Sequence, residues 1–154
     1  MLKRVTLALT LTCASGSALA LQPGDPITPW TLLDQFDQPF TLTSDTRVLL
    51  IARSMSAARL VNAALEASSK GYLEGRHTAY IADIERMPAV ARAFAVPAMR
   101  SAQYRILLDA EGRVAPRYEG SREGVQWLEV RDGKLAAQRQ FSDSGELRKA
   151  LEAL

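Results

Sequence analysis

The spacing of apolar and polar residues is most regular in the middle of the chain. Residues 48–52 are all apolar, which is typical of a strand buried on both faces, and Ser54 and Ser56 follow directly. From Ser56 to Lys70 apolar residues recur every three or four positions, which predicts a helix with one buried face. Gly71 is suited to end it. The pattern therefore predicts a strand, a tight turn and a helix N-terminus.

The remaining pattern predicts further strands and helices around this unit. It indicates a hairpin turning at residues 34–39 and a strand from His77 to Ile84 that is parallel to the first. A helix is predicted from Pro88 to Pro97, with Val90, Ala91 and Phe94 buried. A strand over 104–109, a hairpin turning at 131–133 and a last helix capped by Asp143 follow, and this helix has Leu147, Leu151 and Leu154 on one face. The predicted fold class is α/β: a central mixed sheet flanked by helices, extended at its N-terminus by the first β-hairpin.

The first twenty residues resemble a secretory signal. Lys3 and Arg4 precede an apolar stretch over 5–14, and Ala18-Leu19-Ala20 ends it in small residues, which predicts cleavage after Ala20. We therefore predict a signal peptide over 1–20, a single domain over 21–154 and a periplasmic location. The apolar part is about half the length that a membrane-spanning helix needs, so no stable anchor is predicted. Lipoprotein processing at Cys13 is the alternative, although Thr12 is larger than such sites prefer.

The net charge changes when the predicted signal is removed. Residues 1–20 contain two of the 19 basic residues and no acidic ones, which leaves 19 − 2 = 17 basic residues against 17 acidic. A formally neutral protein gives no electrostatic reason to expect nucleic acid or an anionic membrane as a partner.

Three short motifs near the predicted N-terminal hairpin resemble a known family. Pro23-Gly-Asp-Pro26, then Trp30-Thr-Leu-Leu-Asp-Gln35, then Pro39-Phe-Thr-Leu42 are similar to the opening of the redoxin and peroxiredoxin branch of the thioredoxin-like proteins, nearest to the small periplasmic YtfJ type. The resemblance implies a thioredoxin-like fold in which the turn after the first buried strand carries reactive cysteines and a cis-proline precedes the late hairpin.

This sequence departs from that family at both landmarks. The turn reads Ser54-Met-Ser-Ala-Ala-Arg59, and the one cysteine of the chain, Cys13, lies in the predicted signal. No proline follows Pro116, and positions 124–126 are Gly-Val-Gln. Because thiol–disulfide exchange requires a thiolate, which a serine hydroxyl does not replace, neither oxidoreductase nor peroxidase activity is expected.

The turn is nevertheless a candidate binding site. Helix N-terminal amides carry partial positive charge, and with Arg53, Ser54, Ser56 and Arg59 they are suited to bind an anion, with Asp83 at the same edge of the sheet. Two structural interpretations stand beside this one. A serine caps the helix, and Arg53 pairs with Asp83.

Two classes of function remain open from the sequence. One is a non-catalytic binding module that holds a periplasmic protein or a small anionic ligand. The other is an enzyme with non-thiol chemistry based on Arg53, Ser56 and Asp83, or a diverged relative of the oxidoreductases. His77 is predicted at the opposite sheet edge, out of reach of Ser56 as a base. No cofactor motif is present, and a metal site is not expected from one histidine and carboxylates. An exposed apolar patch beside the turn would favour the binding module.

Overall fold

The computed structural model describes residues 20–154, so the predicted signal peptide up to residue 19, with Cys13, lies outside the described residues. Seven strands and three α-helices follow one another along this part of the chain. They are β1 (Thr31–Asp34), β2 (Pro39–Thr41), β3 (Val48–Ala52), α1 (Met55–Leu65), β4 (Thr78–Asp83), α2 (Ala89–Met99), β5 (Leu107–Asp109), β6 (Val125–Arg131), β7 (Lys134–Phe141) and α3 (Ser144–Glu152), with short 3-10 helices at Glu74–Arg76 and Ala115–Arg117.

The strands form one mixed sheet in the order β2-β1-β5-β4-β3-β6-β7. Strands β3 and β4 are parallel neighbours, with Val48 opposite Thr78 and Ala52 opposite Ala82, and β5 continues the parallel set. Strand β6 lies antiparallel on the other side of β3. The predicted parallel pairing and the predicted α/β class with a central mixed sheet are therefore confirmed.

Apolar clusters cover both faces of the sheet, which explains why β3 is apolar throughout. Leu50 and Ala52 point into the cluster that contains Val61 and Leu147 of α1 and α3. Leu49 points to the opposite face, where the cluster is built from the N-terminal segment, β1 and the turn after β5. All five residues of β3 are buried, as expected for a central strand covered on both faces.

The two predicted hairpins form as the turn residues indicate. Asp37 takes a positive φ of 60° between β1 and β2. Asp132 and Gly133, with φ of 52° and 71°, join β6 to β7, which matches the twist that two-residue hairpins favour.

The ends of α1 and α3 differ in part from the prediction. Helix α1 ends at Leu65 rather than at Lys70, because the chain turns where Ser68 N donates to Leu65 O. The turn brings Leu73 into the core, where it is buried. Helix α3 begins as predicted, with the Asp143 carboxylate accepting Glu146 N at 2.9 Å, but its predicted apolar face stops short of Leu154, which is exposed.

Helix α2 contradicts two predictions. Pro97 lies inside the helix rather than ending it, and because it has no N–H the helical bond to Ala93 O is missing there. The predicted burial of Val90, Ala91 and Phe94 is wrong: no residue of α2 is buried, and Val90 and Phe94 are 74% and 77% exposed. An apolar helix therefore lies on the surface.

Candidate functional site

The turn between β3 and α1 is held by the hydroxyl group of Ser54. Its Oγ accepts Ala57 N at 3.2 Å, which confirms a serine as the helix cap, and it lies 3.0 Å from Ser56 Oγ. The same Oγ donates to Arg122 O at 2.7 Å, in the loop before β6. A hydroxyl group has one donor and two acceptor positions, so these three contacts use its full hydrogen-bonding capacity. Ser54 therefore joins the start of α1 to the loop before β6.

Arg53 is almost fully buried, at 6% exposure, and its guanidinium group faces the chain between β5 and β6. Nη2 donates to Ala115 O at 3.0 Å and also to Tyr118 O. Nη1 is buried without a partner among the described residues. A Cβ added at Gly120 would lie 2.7 Å from Nη1, so a larger residue there would require the guanidinium group to shift. Arg53 therefore fixes this loop through backbone carbonyls.

The structural interpretation in which Arg53 forms an ion pair with Asp83 is wrong. None of the ion pairs among residues 20–154 joins them, and Asp83 Oδ1 accepts Glu85 N at 3.2 Å instead. Burial lowers the pKa of Arg53, the charge of Asp83 opposes that shift and the charge of Arg122 adds to it. Arg53 and Asp83 therefore interact across the site without direct contact.

A groove of about 610 Å³ opens between the start of α1 and α2. Ala52 and Ala82, at the ends of β3 and β4, lie in it, with Met55 and Ala58 on the α1 side. The α2 side includes Ala91, Phe94, Ala95 and Met99. A second cavity of about 440 Å³ shares Met55, Ala58, Ala95 and Met99 with it, so the two cavities adjoin each other between the helices.

The structure brings together three of the five residues predicted for the site. Arg53, Ser54 and Asp83 line the groove, whereas Ser56 and Arg59 do not. Sequence reasoning missed Arg86 and Arg122, which also line it. The loop containing Arg122 is brought to α1 by the long-range bond from Ser54, and no local pattern indicates that contact.

Helix α2 is held by polar contacts near its two ends and by Val96 and Met99, which are partly buried against the core. Near the first end, Arg92 Nη2 donates to Ile84 O at 2.8 Å. Near the other, Arg100 Nε donates to Gln35 O at 2.8 Å, and Gln35 Nε2 lies 3.5 Å from Met99 O. The middle of α2 is therefore free to present its apolar side chains to the groove and to solvent.

Other candidate chemistry is distributed away from the groove. His77 lies just before β4, at the opposite end of the parallel strands from the turn, and lines a separate cavity of about 240 Å³. Across residues 20–154, no group of three or more His, Cys, Asp or Glu side chains is placed to bind a metal. The same residues contain no cis peptide bond, and Gly124 takes a positive φ of 79° where the resemblance implies a cis-proline.

Comparison with known proteins bears on the fold. No family model matches the chain, and no curated protein does. Among solved structures, peroxidoxin BcpB from Mycobacterium tuberculosis aligns with a TM-score of 0.56 at 17% identity, covering 86% of this chain and 95% of that one. The chain has a thioredoxin-like fold. The thioredoxin-like resemblance stated from the sequence is thereby confirmed, whereas the YtfJ-type relationship stays a prediction.

Two further thioredoxin-like matches are to thiol–disulfide proteins. A thio-disulfide isomerase from Thermus thermophilus aligns with a TM-score of 0.53 at 22% identity, covering 86% of this chain and 96% of that one. A secreted disulfide oxidoreductase from Mycobacterium tuberculosis, homologous to DsbE of E. coli, gives a TM-score of 0.53 at 13% identity, with 81% and 96% covered. At these identities the matches establish the fold and carry no activity to this chain.

The cysteine content separates this chain from dithiol chemistry. Its single cysteine has no second cysteine within the 154 residues with which to form a disulfide.

In the described part of the chain, no helix has the length and hydropathy needed to cross a membrane.

Proposed function

We propose that this protein is an exported, non-catalytic binding module that uses its thioredoxin-like scaffold to hold a segment of a partner protein in the groove between α1 and α2. The observation that carries the proposal is the exposed apolar wall of that groove. Phe94 on α2 is 77% exposed and Met55 on α1 is 57% exposed, and both side chains line the groove. Contiguous apolar surface of this kind is typical of protein interaction sites.

The size and lining of the groove support a polypeptide as the occupant. A volume of about 610 Å³ lies within the range of ligand pockets, and a second cavity of about 440 Å³ adjoins the groove. Two adjoining cavities between two helices suit successive side chains of a polypeptide better than a single compact ligand.

The polar groups of the turn support binding rather than catalysis. The Ser54 hydroxyl is fully engaged by the helix cap and by Arg122 O, and Ser56 does not line the groove. The one histidine of the chain lies at the other edge of the sheet. The enzymatic alternative based on Arg53, Ser56 and Asp83 therefore lacks a nucleophile paired with a base.

Export is part of the same proposal. It is supported by the signal-like pattern of residues 1–20 and by the secreted protein among the structural matches. A periplasmic location would place the groove among exported partner proteins.

The test is affinity capture from periplasmic extract with two matched variants. Phe94→Ser removes the most exposed aromatic side chain of the groove, whereas Phe36→Ser removes a phenylalanine that is 50% exposed in the turn between β1 and β2. We expect both variants to fold with little change in stability, since exposed substitutions usually change the free energy of unfolding by less than about 0.5 kcal/mol.

The capture should separate the two variants. Partner proteins retained by the wild type and by Phe36→Ser should be lost from Phe94→Ser. If the same proteins remain on all three baits, the groove is not the binding surface. If no protein is retained above the background of an unrelated bait, the proposed function is wrong.

A further inference from the structure

The charged residues around the groove are unbalanced in sign. Arg53, Arg86 and Arg122 line it, whereas Asp83 is the one acidic residue that does so. Over residues 21–154 the chain holds 17 basic and 17 acidic residues, once Lys3 and Arg4 are subtracted from the 19. The positive excess is thus a property of this surface and not of the protein as a whole.

Two of the three arginines are available to a ligand. The Arg53 guanidinium donates to Ala115 O and Tyr118 O. Arg86 and Arg122 are exposed, and among residues 20–154 their guanidinium groups form neither an ion pair nor a hydrogen bond. An unpaired guanidinium beside an apolar groove is well suited to a carboxylate, which it binds through two parallel hydrogen bonds.

The same charges argue against a second copy of this chain as the occupant. A symmetric dimer formed through the groove would place Arg86 and Arg122 of one copy close to those of the other. Because like charges brought together at an interface cost binding free energy, a homodimer formed through the groove is disfavoured.

We propose that the groove selects an acidic apolar segment of a partner protein. Its apolar side chains would lie between Met55 and Phe94, and a carboxylate of Asp or Glu would pair with Arg86 or Arg122. This inference rests on the proposed function, because it names the chemistry of the partner at the same groove. It adds that the groove discriminates by charge as well as by apolar contact.

The experiment uses three fluorescently labelled peptides of about fourteen residues with the same leucines and alanines at helical spacing. They differ only in two positions beside the leucines, which are Glu in the first, Gln in the second and Lys in the third. Fluorescence anisotropy gives the Kd of each for the wild type, for Arg86→Glu/Arg122→Glu and for Arg131→Glu. Arg131 is an exposed arginine at the hairpin between β6 and β7, outside the groove.

We expect the wild type to bind the Glu peptide about threefold to tenfold more tightly than the Gln peptide, and the Lys peptide most weakly. The preference should shrink in 1 M salt, where charges are screened over about 3 Å. Arg86→Glu/Arg122→Glu should reverse the order of the three peptides, and Arg131→Glu should preserve it.

The possible failures of the two proposals are distinguishable. Equal binding of the three peptides to the wild type would overturn the charge selection and leave the apolar groove as the binding surface. A reversed order with Arg131→Glu as well would show that net charge alone is responsible, and would also overturn it. No binding of any peptide would overturn the proposed function and this inference together.

Discussion

Replacing Arg53 tests whether its side chain stabilises the folded protein or contacts a ligand at the turn after β3. In Arg53→Ala, Ala115 O and Tyr118 O both lose a charged donor, and they lie beneath a loop that has closed over the guanidinium. A hydrogen bond from a charged group contributes about 1.5 to 3 kcal/mol, and the buried Tyr118 carbonyl, left unpaired, costs about 1 to 3 kcal/mol, whereas Ala115 O still accepts Tyr118 N. Because these two costs overlap, we expect the free energy of unfolding to fall by about 3 to 5 kcal/mol.

The assay is urea unfolding followed by tryptophan fluorescence, with two comparison variants. Arg53→Lys keeps the positive charge but lacks the planar guanidinium, so it should recover part of the loss. Arg59→Ala removes an exposed arginine of α1 that forms no ion pair or hydrogen bond within residues 20–154, and should change stability by less than about 0.5 kcal/mol.

Two results would refute this reasoning about Arg53. If Arg53→Ala unfolds at the same urea concentration as Arg59→Ala, the carbonyl contacts do not stabilise the loop. If it also loses affinity for the Glu peptide at unchanged stability, Arg53 is a ligand contact, as the sequence-based anion-site hypothesis proposed.

The remaining predictions concern Asp109 and the buried Tyr80. The Asp109 carboxylate accepts Arg113 N at 2.9 Å, Val114 N at 2.8 Å and Ala115 N at 2.7 Å, so Asp109→Asn should lower the free energy of unfolding by about 1.5 to 3 kcal/mol in the same urea assay, and a change below about 0.5 kcal/mol would contradict this. Burial, and to a lesser extent Tyr104, raises the pKa of Tyr80 above its ordinary value of 10.0, so stability that is present below pH 10 should decline as the pH rises above it. Tyr80→Phe should make this decline shallower in urea unfolding at pH 8 to 11, and an unchanged slope would contradict the assignment.

Much of the fold was predictable because it depends on local patterns. The apolar strand at residues 48–52 requires neighbours on both sides, and the chain between it and residues 78–83 is long enough for a helical crossover, which gives parallel pairing. Asp132-Gly133 and Asp143 form the turn and the cap that their residue types favour. These features need no knowledge of distant parts of the chain.

The contacts of the candidate site were not predictable in the same way. The partners of Arg53 are 62 and 65 residues away along the chain, and the acceptor of the Ser54 hydroxyl is 68 residues away. A sequence pattern places Arg53 at the end of a strand but does not indicate which loop packs over it. The sequence predicted Asp83 as the partner of Arg53, because Asp83 is the nearest opposite charge expected at that edge. In the structure Arg53 instead donates to two buried backbone carbonyls.

Helix α2 shows a different limit. The spacing of Val90 and Phe94 is that of a buried helix face, and it predicts one. A spacing of three to four residues shows that a helix has an apolar face, but it does not say whether that face meets the core of its own protein or the surface of another. Here α2 packs against the core through Val96 and Met99 and is bonded near its two ends, and Phe94 is left outside the core.

These two differences from the sequence prediction have a common consequence for function. Once Arg53 and Ser54 are engaged with the loop before β6, the turn that carries cysteines in the proteins this chain resembles acts here as a rigid joint. The exposed apolar surface lies next to that joint, on a helix without buried residues. A rigid turn beside an uncovered apolar helix needs no ordering of its own backbone before a partner binds, so most of the interaction free energy remains available for affinity. The same arrangement pairs no nucleophile of the turn with a base, which is why we propose that the function of this protein lies in the groove rather than in the turn.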